Sequence, residues 1–318
     1  MSTIAVTGGA GFVGTNLVRS LLNQSFKVVV IDDFSTGLRS NVENLGCEIR
    51  EASIINYQEI HDALSGSDYI FHLAARGSVP RSIRNPRATH DVNTTGTMNV
   101  LEFARINKIP LSFSSSSSVY GTNELLPKNE KMWTGPMTPY AASKLSGEAL
   151  VQSYAISYKI PAITYRFFNI FGPWQRPDHD YAAVIPKWIW KIINREKIQV
   201  YGDGQQSRDF THVDDVVQVL ISGMTQNINH PEPINLAFGQ RITLNQVLEL
   251  LAERDKNIEV EFLPERIGDV KNSENDPSEL TRVFQNIQKK EFKTALYEVW
   301  DWLEHNSSKV INGPKVLD

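Results

Sequence analysis

Ile4-Ala5-Val6-Thr7-Gly8-Gly9-Ala10-Gly11-Phe12-Val13-Gly14 runs from a β-branched apolar stretch through a glycine turn into the start of an amphipathic helix. Gly8 permits a tight turn, Gly11 lets backbone approach a pyrophosphate, and Gly14 allows close helix–strand packing. The helix N-terminus then faces phosphates with exposed N–H groups and the positive end of its dipole. A glycine cluster alone marks only a turn; placed between strand and helix, it marks the first unit of a dinucleotide-binding fold. Asp32 closes the second predicted strand, 18 residues after Gly14, where an acid accepts hydrogen bonds from an adenosine ribose. With Asp33 beside it, the carboxylate would repel a 2′-phosphate, which favours NAD over NADP. The other reading of Asp32 is a solvated acid in a turn.

The same alternation continues outward. Strands are predicted at Thr3 to Val6, Lys27 to Ile31, Glu48 to Glu51, Tyr69 to Leu73, Leu111 to Ser114 and Ala162 to Arg166, with helical patterns at Gly14 to Asn23 and Thr89 to Asn107. Strand–helix alternation of this kind implies α/β architecture, a Rossmann-type doubly wound parallel sheet. After Phe171 the pattern loosens into Gly, Pro and Trp. A helix from Pro186 to Asn194, a strand at Gln199-Val200-Tyr201, a helix from Asp214 to Gly223 and a return strand at Ile234-Asn235-Leu236 follow, then a polar, helical last third with Leu244 to Glu253 its clearest element. The expected division is a nucleotide-binding domain at residues 1–170, with 213–240 returning to it, and a smaller, mostly helical C-terminal substrate lobe from 171–212 and 241–305. Residues 306–318, without apolar periodicity, read as a mobile tail.

Bulk properties narrow the class. The 318 residues carry 36 acids against 32 bases, a net charge of −4 with no long run of either sign, which argues against nucleic acid or an anionic membrane as partner. The lone cysteine, Cys47, excludes an intramolecular disulfide and suits a reducing compartment. No stretch approaches the ~20 apolar residues that span a bilayer, and the N-terminus fits no signal peptide. A cytoplasmic, soluble protein is expected.

Thr138-Pro139-Tyr140-Ala141-Ala142-Ser143-Lys144 carries the chemistry. Thr138 can cap a helix whose first residue is Pro139, which puts Tyr140 and Lys144 one turn apart on one face. A tyrosine ionises near pH 10, so acting as a base near pH 7 needs about 3 units of depression, or ~4 kcal/mol. A nearby ammonium favours the phenolate and supplies much of it. Alone, the pair also fits any amphipathic helix with a surface Tyr and Lys. Five consecutive serines, Ser114 to Ser118, read alone as a flexible linker. They follow the strand-like Leu111-Ser112-Phe113, however, and so lie at a strand's carboxyl end, where open α/β sheets bind ligands.

Thr7 to Gly14, His72-Leu73-Ala74-Ala75, Ser116 before Val119-Tyr120-Gly121, Tyr140 with Lys144, Arg166-Phe167-Phe168-Asn169, Arg208-Asp209-Phe210 and Arg266-Ile267-Gly268-Asp269 occur in this order. Over Ile4 to about Leu280 the chain thereby resembles the extended short-chain dehydrogenase/reductase family, and within it the nucleotide-sugar 4-epimerases. The resemblance implies that Tyr140 is the acid–base, that Lys144 lowers its pKa and holds the nicotinamide ribose, and that Ser116 passes the sugar O4 proton to Tyr140. It assigns NAD to Gly8, Gly11, Phe12, Val13, Asp32, Asp33, Ser35, Thr36, Gly37, Ser53, Ile54, Leu73, Ala74, Ala75, Asn93, Ser114 and Phe168, besides Tyr140 and Lys144. It assigns the UDP-sugar to Ser78, Ser116, Ser117, Tyr140, Asn169, Ala183, Val184, Tyr201, Arg208, Arg266, Asp269 and Ser273, the two arginines clamping the diphosphate; each arginine, read by itself, could equally form a surface ion pair. No metal is implied. Two departures stand out: Ser53 replaces an acid common near the adenine, and Gly77 replaces a lysine that touches the cofactor in some members.

The implied reaction oxidises C4 and reduces it again on the opposite face, with no net redox change. Ser117 and Ser118 stand where related 4,6-dehydratases need an acid pair. Ser273 is small where members restricted to UDP-glucose and UDP-galactose often have Tyr, so UDP-GlcNAc/UDP-GalNAc is the leading pair, with UDP-glucose as a further substrate. A uronic acid read by Arg76, Arg81 or Arg84, a net oxidoreductase and a catalytically silent nucleotide-sugar sensor are the alternatives. Family resemblance also implies a homodimer through the helix at Thr89 to Asn107 and the one carrying Tyr140. Lys289-Lys290-Glu291 reads as a solvated helix face, and the six tryptophans are assigned no function, although Trp174 and Trp188 could border the sugar pocket.

Overall fold

The computed structural model describes residues 2–178, 182–230, 232–265 and 271–311, with side chains described through residue 306. Its strands are β1 (Thr3–Thr7), β2 (Lys27–Asp32), β3 (Glu48–Glu51), β4 (Tyr69–His72), β5 (Leu111–Ser116), β6 (Ala162–Phe167), β7 (Asn169–Phe171), β8 (Ile198–Tyr201), β9 (Ser207–His212), β10 (Ile234–Leu236), β11 (Arg241–Thr243) and β12 (Val260–Leu263). Helices are α1 (Phe12–Asn23), α2 (Tyr57–Leu64), α3 (Val79–Arg84), α4 (Pro86–His90), α5 (Thr97–Asn107), α6 (Pro139–Tyr158), α7 (Val184–Ile193), α8 (Val213–Thr225), α9 (Leu244–Arg254), α10 (Ser278–Val283) and α11 (Phe292–Ile311).

Seven strands form one parallel sheet in the order β10-β6-β5-β4-β1-β2-β3. Strands buried on both faces need unbroken apolar runs, and Val28 to Ile31 and Tyr69 to Phe71 supply them. One face carries α1 and α8, packed through Leu17, Leu21, Val216 and Leu220; the other carries α2, α5 and α6 over Ile60, Leu101, Val151 and Phe113. This is a doubly wound Rossmann-type fold. The order of winding reverses between β1 and β4, and the carboxyl ends of those strands open a crevice there. A third core joins α7, α9 and α11 to β8 and β9 through Ile189, Val200, Phe210, Leu251 and Leu296.

Side-chain chemistry sets several helix starts. Thr138 Oγ1 accepts from Ala141 N (3.2 Å) ahead of Pro139, and Thr243 and Gln246 form a reciprocal capping box on α9. Gly147 of α6 lies against Phe113 of β5, where a Cβ would fall 2.6 Å from the ring. That missing side chain brings α6 down onto the sheet.

The structure departs from the sequence reading in four places. The serine run belongs to the sheet: Ser114, Ser115 and Ser116 extend β5 and register with Tyr165, Arg166 and Phe167. The helix expected from Thr89 to Asn107 is interrupted by a π-turn at Asp91–Gly96. There Asn93 accepts from Arg76 N (2.7 Å) and donates to Ser143 Oγ (2.9 Å), while Gly96 fits against Ile54. Lys289 to Glu291 is the connection before α11, not a solvated helix face, because Lys290 Nζ bonds Asp214 (2.7 Å) and Glu298 (2.6 Å). His212 lies beside these carboxylates with Nδ1 accepting from Asp214 N, so Lys290 already balances this group of potential metal ligands. Finally, the chain beyond β6 forms two small sheets, β11-β9-β7 and β12-β8, besides its helices. α11 leaves helical geometry at Asn306 (φ −119°, ψ 15°) and its backbone resumes to Ile311.

Gly14 tests the close approach on which the first turn rests. A Cβ there would lie 2.2 Å from Gly8 O and 2.7 Å from Gly9 Cα, both backbone atoms that cannot rotate away. Gly14→Ala is expected to destabilise the fold by about 2 kcal/mol. Gly77→Ala, which adds a Cβ in open space, is expected to stay within about 0.5 kcal/mol. Chemical denaturation of both variants checks the contrast.

Candidate active site

The crevice holds a cavity of about 560 Å³. Gly8, Gly11, Phe12, Val13, Asp32, Asp33, Ser35, Thr36, Gly37, Ile54, Leu73, Ala74 and Ala75 line one end; Ser114, Ser116, Tyr140, Lys144, Phe168, Ser78 and Ala183 line the other. The glycine turn is shaped by contact: Gly8 adopts φ +70°, and a Cβ on it would meet Ala74 backbone at 2.7 Å. α1 has Gly11 as its N-cap and no side-chain cap, so no capping side chain competes for its first N–H groups beside the cavity. Asp32 is buried, which raises its carboxyl pKa against hydrogen bonds from Phe34 N (2.9 Å) and Ala10 N (3.0 Å). Gly37 closes over it, where a Cβ would lie 2.9 Å from Asp32 Oδ2.

Tyr140 and Lys144 sit one turn apart on α6, as their spacing requires, and face the carboxyl end of β5. Ser116 bonds the Tyr140 phenol and accepts from Ser118 N (3.2 Å). Burial pushes the phenol above its ordinary pKa and the Ser116 hydrogen bond only partly offsets this. The depression expected from Lys144 is therefore absent in the protein alone. Lys144 Nζ instead donates to Ser114 O (2.8 Å) and lies 5.3 Å from the centre of the Phe113 ring. Its own pKa is lowered to about 8 by burial, with the Glu148 carboxylate opposing that fall.

Glu148 continues the same helix face. Its carboxylate accepts from Ser115 Oγ and from Arg166 at Nε (2.9 Å) and Nη2 (2.8 Å), both partners almost wholly buried. Arg166 Nη1 donates to Tyr120 Oη (2.9 Å), which donates to Asn235 Oδ1 (2.8 Å). At the end of β4, His72 is fully buried between Thr7 Oγ1 (2.7 Å) and Thr97 Oγ1 (3.0 Å); burial, then the Lys144 charge, lowers its pKa to about 3 and keeps it neutral.

Other expected residues lie elsewhere. Ser53 stands behind the wall, donating to Asp33 (3.3 Å), and Asn93 braces the loop at Arg76. Ser117, Asn169, Val184, Tyr201, Arg208 and Ser273 are not among the cavity's lining residues. Arg208 donates to Ser207 O (2.9 Å) and Lys271 O (3.3 Å), and Ser273 N donates to Ser207 O (3.0 Å), which gathers both at the start of β9. Arg266 and Asp269 lie outside the described residues. Trp174 lines the cavity beneath the Arg19 guanidinium, 4.3 Å away, whereas Trp188 is buried in the third core and does not. Gln175 and Arg176 line the cavity without having been singled out; their only sequence signal was the Gly-Pro-Trp cluster beside them.

An open parallel sheet with a glycine cradle, an acid ending β2 and a Ser–Tyr–Lys group at the switch point defines a nicotinamide-dependent enzyme of the short-chain dehydrogenase/reductase type. The sequence model of the NAD dependent epimerase/dehydratase family matches residues 4–237. The UDP-N-acetylglucosamine 4-epimerase of Methanobrevibacter ruminantium M1, solved with UDP-N-acetylmuramic acid, is 35% identical with a TM-score of 0.91 over 96% of this chain and 99% of that one. A putative UDP-glucose 4-epimerase of Methanocaldococcus jannaschii is 29% identical over 96% of this chain and 99% of its own length. The UDP-glucuronic acid 4-epimerase of Bacillus cereus, solved with UDP-glucuronic acid and NAD, is 27% identical with a TM-score of 0.87 over 95% and 99%. The chain belongs to the NAD-dependent epimerase/dehydratase family, and its cofactor is NAD. The cradle that Cβ atoms at Gly8 and Gly14 would fill fits that group. No described helix is long and apolar enough to cross a membrane.

Because Lys144 titrates near 8 in the fold and near 10.5 when unfolded, its ammonium destabilises the native state by about 3 kcal/mol at pH 7. The native state binds fewer protons between those values, so this loss is recovered as pH rises from about 8 towards 10.5. Lys144→Met is expected to unfold at higher denaturant than the parent at pH 7, the gap closing by pH 10. Denaturation curves at both pH values check it.

Proposed function

We propose that this protein interconverts C4 epimers of a UDP-sugar, with UDP-GlcNAc and UDP-GalNAc as its leading pair and UDP-glucose and UDP-galactose as lesser substrates. The observation that carries the reading is that Ser116, Tyr140 and Lys144 open on the same cavity as the glycine cradle. Bound NAD supplies a reversible hydride acceptor and, while oxidised, a positive charge that with Lys144 favours the Tyr140 phenolate. Tyr140 Oη takes the proton of the sugar 4-hydroxyl, with Ser116 Oγ as the hydrogen-bonded relay, and returns it once the 4-keto sugar has turned over. The proton thus ends where it began, as an epimerisation without net redox requires.

Ser117 and Ser118 offer no carboxyl group for eliminating water, which supports epimerase over dehydratase. The resemblance to the M. ruminantium epimerase and the small Ser273 beside Arg208 support an N-acetylated sugar and a diphosphate held at the start of β9. A second reading rests on Arg76, Arg81 and Arg176, which all line the cavity and favour a carboxylate-bearing sugar, as in the B. cereus relative. Arg84 is not among the lining residues. Met98 and Ile106 on α5 and Ile156 and Tyr158 on α6 are exposed, which supports pairing of two copies through these helices. The free Cys47 thiol suits a reducing, cytoplasmic setting.

Incubation with UDP-GlcNAc without added NAD, followed by NMR, is expected to give UDP-GalNAc with no lasting absorbance at 340 nm. Stoichiometric NADH would make it a dehydrogenase, and preference for UDP-glucuronate in the same panel would establish the second reading. Tyr140→Phe is expected to lower turnover by about 10³-fold with NAD retained. Ser273→Tyr should reduce activity on N-acetyl sugars more than on UDP-glucose; equal losses on both sugars would remove Ser273 from the pocket.

A further inference from the structure

We propose that Glu148 is a positioning residue for Lys144: its carboxylate, clamped by Arg166, keeps the buried ammonium charged where Ser114 O holds it at the carboxyl end of β5. The inference rests on the reading above only in taking Lys144 as the cation of the site. Tyr140, Lys144 and Glu148 recur every four residues, so one face of α6 presents phenol, ammonium and carboxylate in a row. Gly147 lets that face sit directly on Phe113, and Lys144 and Glu148 are both about as buried as the core around them. An isolated charge at such depth would neutralise. Lys144 has a neutral carbonyl, Ser114 O, and an aromatic ring for company, and neither balances its charge.

The groups facing Lys144 from the neighbouring elements sharpen the assignment. His72 of β4 is neutral, and Tyr140 is a phenol above its ordinary pKa. Arg166 of β6 is a cation, paired with the Glu148 carboxylate. Glu148 is the carboxylate of this group. Its position is fixed by the paired bonds from Arg166 and the hydroxyl of Ser115, the residue following the carbonyl that Lys144 bonds. Arg166 is held in turn by Tyr120 and Asn235. The ion pair therefore does more than glue β6 to α6: Arg166 fixes the carboxylate, and the carboxylate sustains the ammonium.

The test follows the Lys144 side chain itself by NMR of isotope-labelled lysine, with the resonance assigned by its loss in Lys144→Met. The parent midpoint is expected near 8. Glu148→Gln should lower it by about one pH unit. Because that variant leaves Arg166 as an unpaired buried cation, the double variant Glu148→Gln/Arg166→Met removes the pair together and should keep the lowered midpoint relative to Arg166→Met alone. Arg166→Met, which leaves Glu148 facing Lys144, should not lower it. A merely structural pair would reduce stability in each variant and leave the Lys144 midpoint unmoved. An unchanged midpoint in the folded double variant, or a fall in Arg166→Met, overturns the proposal. No substrate enters this titration, so its failure is separate from a failure of the epimerase reading, which shows as absent turnover in the parent.

Discussion

A lysine ammonium held out of water at the end of β5 is the constraint around which this site is arranged. Burial drives its pKa down to about 8 even with the Glu148 carboxylate opposing the fall, and the surrounding protein has limited means of opposing it further. The Phe113 ring and the Ser114 carbonyl orient the group without balancing its charge. The balance comes from within the same helix, one turn further on, and the carboxylate that provides it would itself be unstable without Arg166. The packing that makes this possible is the absence of a side chain at Gly147, which lets α6 approach the sheet closely enough to bury both Lys144 and Glu148. The cost is stability: the same burial that prepares the site weakens the native state near neutral pH.

The parallel sheet was legible because its signals are local and redundant. β-branched runs buried on both faces, each followed by a glycine turn or a capped helix, can be read without knowing what they pack against. The glycine cradle is of this kind, since Gly8, Gly11 and Gly14 answer a demand of backbone geometry. Tyr140 and Lys144 were legible for a second reason, that a helix places residues four apart on one face. Glu148 obeys the same spacing. Its significance was hidden because an acid one turn beyond a lysine also describes any solvated helix, and only the sheet beneath it distinguishes the two.

What remained illegible depends on contacts remote in sequence. The π-turn at Asn93 exists because its amide meets Arg76 and Ser143, residues 17 and 50 positions away. Trp188 looks like a pocket aromatic until α7 folds against α9 and α11 and turns it into the third core. Lys290 reads as solvated until Asp214 and Glu298 close around it. The rise of the Tyr140 pKa in the protein alone is hidden from the sequence for the same reason. Spacing predicts that Lys144 is near, but not that burial outweighs it or that the ammonium donates to Ser114. Periodicity reports which face a residue occupies. It does not report what the opposing face contributes.

The two halves of the proposed function are carried by structures of different kinds. Proton handling lies on β5 and α6, where register, helix spacing and a buried ion pair fix each group. On the proposed reading, recognition of the sugar and diphosphate falls to the segments after β7 and around β9, among them Trp174, Gln175, Arg176, Arg208 and Ser273, whose positions follow from loops and short strands. A change at Ser273 or Arg176 alters the shape or charge offered to a sugar without disturbing the Glu148–Arg166 pair, because no hydrogen bond of that pair reaches either residue. Substrate choice can therefore vary while the phenol, hydroxyl and ammonium stay as they are. This separation accounts for a family in which relatives of similar fold bear the names of enzymes acting on neutral, N-acetylated and acidic sugars. For this chain, the proposed function assigns the discrimination between an N-acetyl sugar and a uronic acid to the cavity's arginines and Ser273, and leaves the chemistry of Tyr140 common to both.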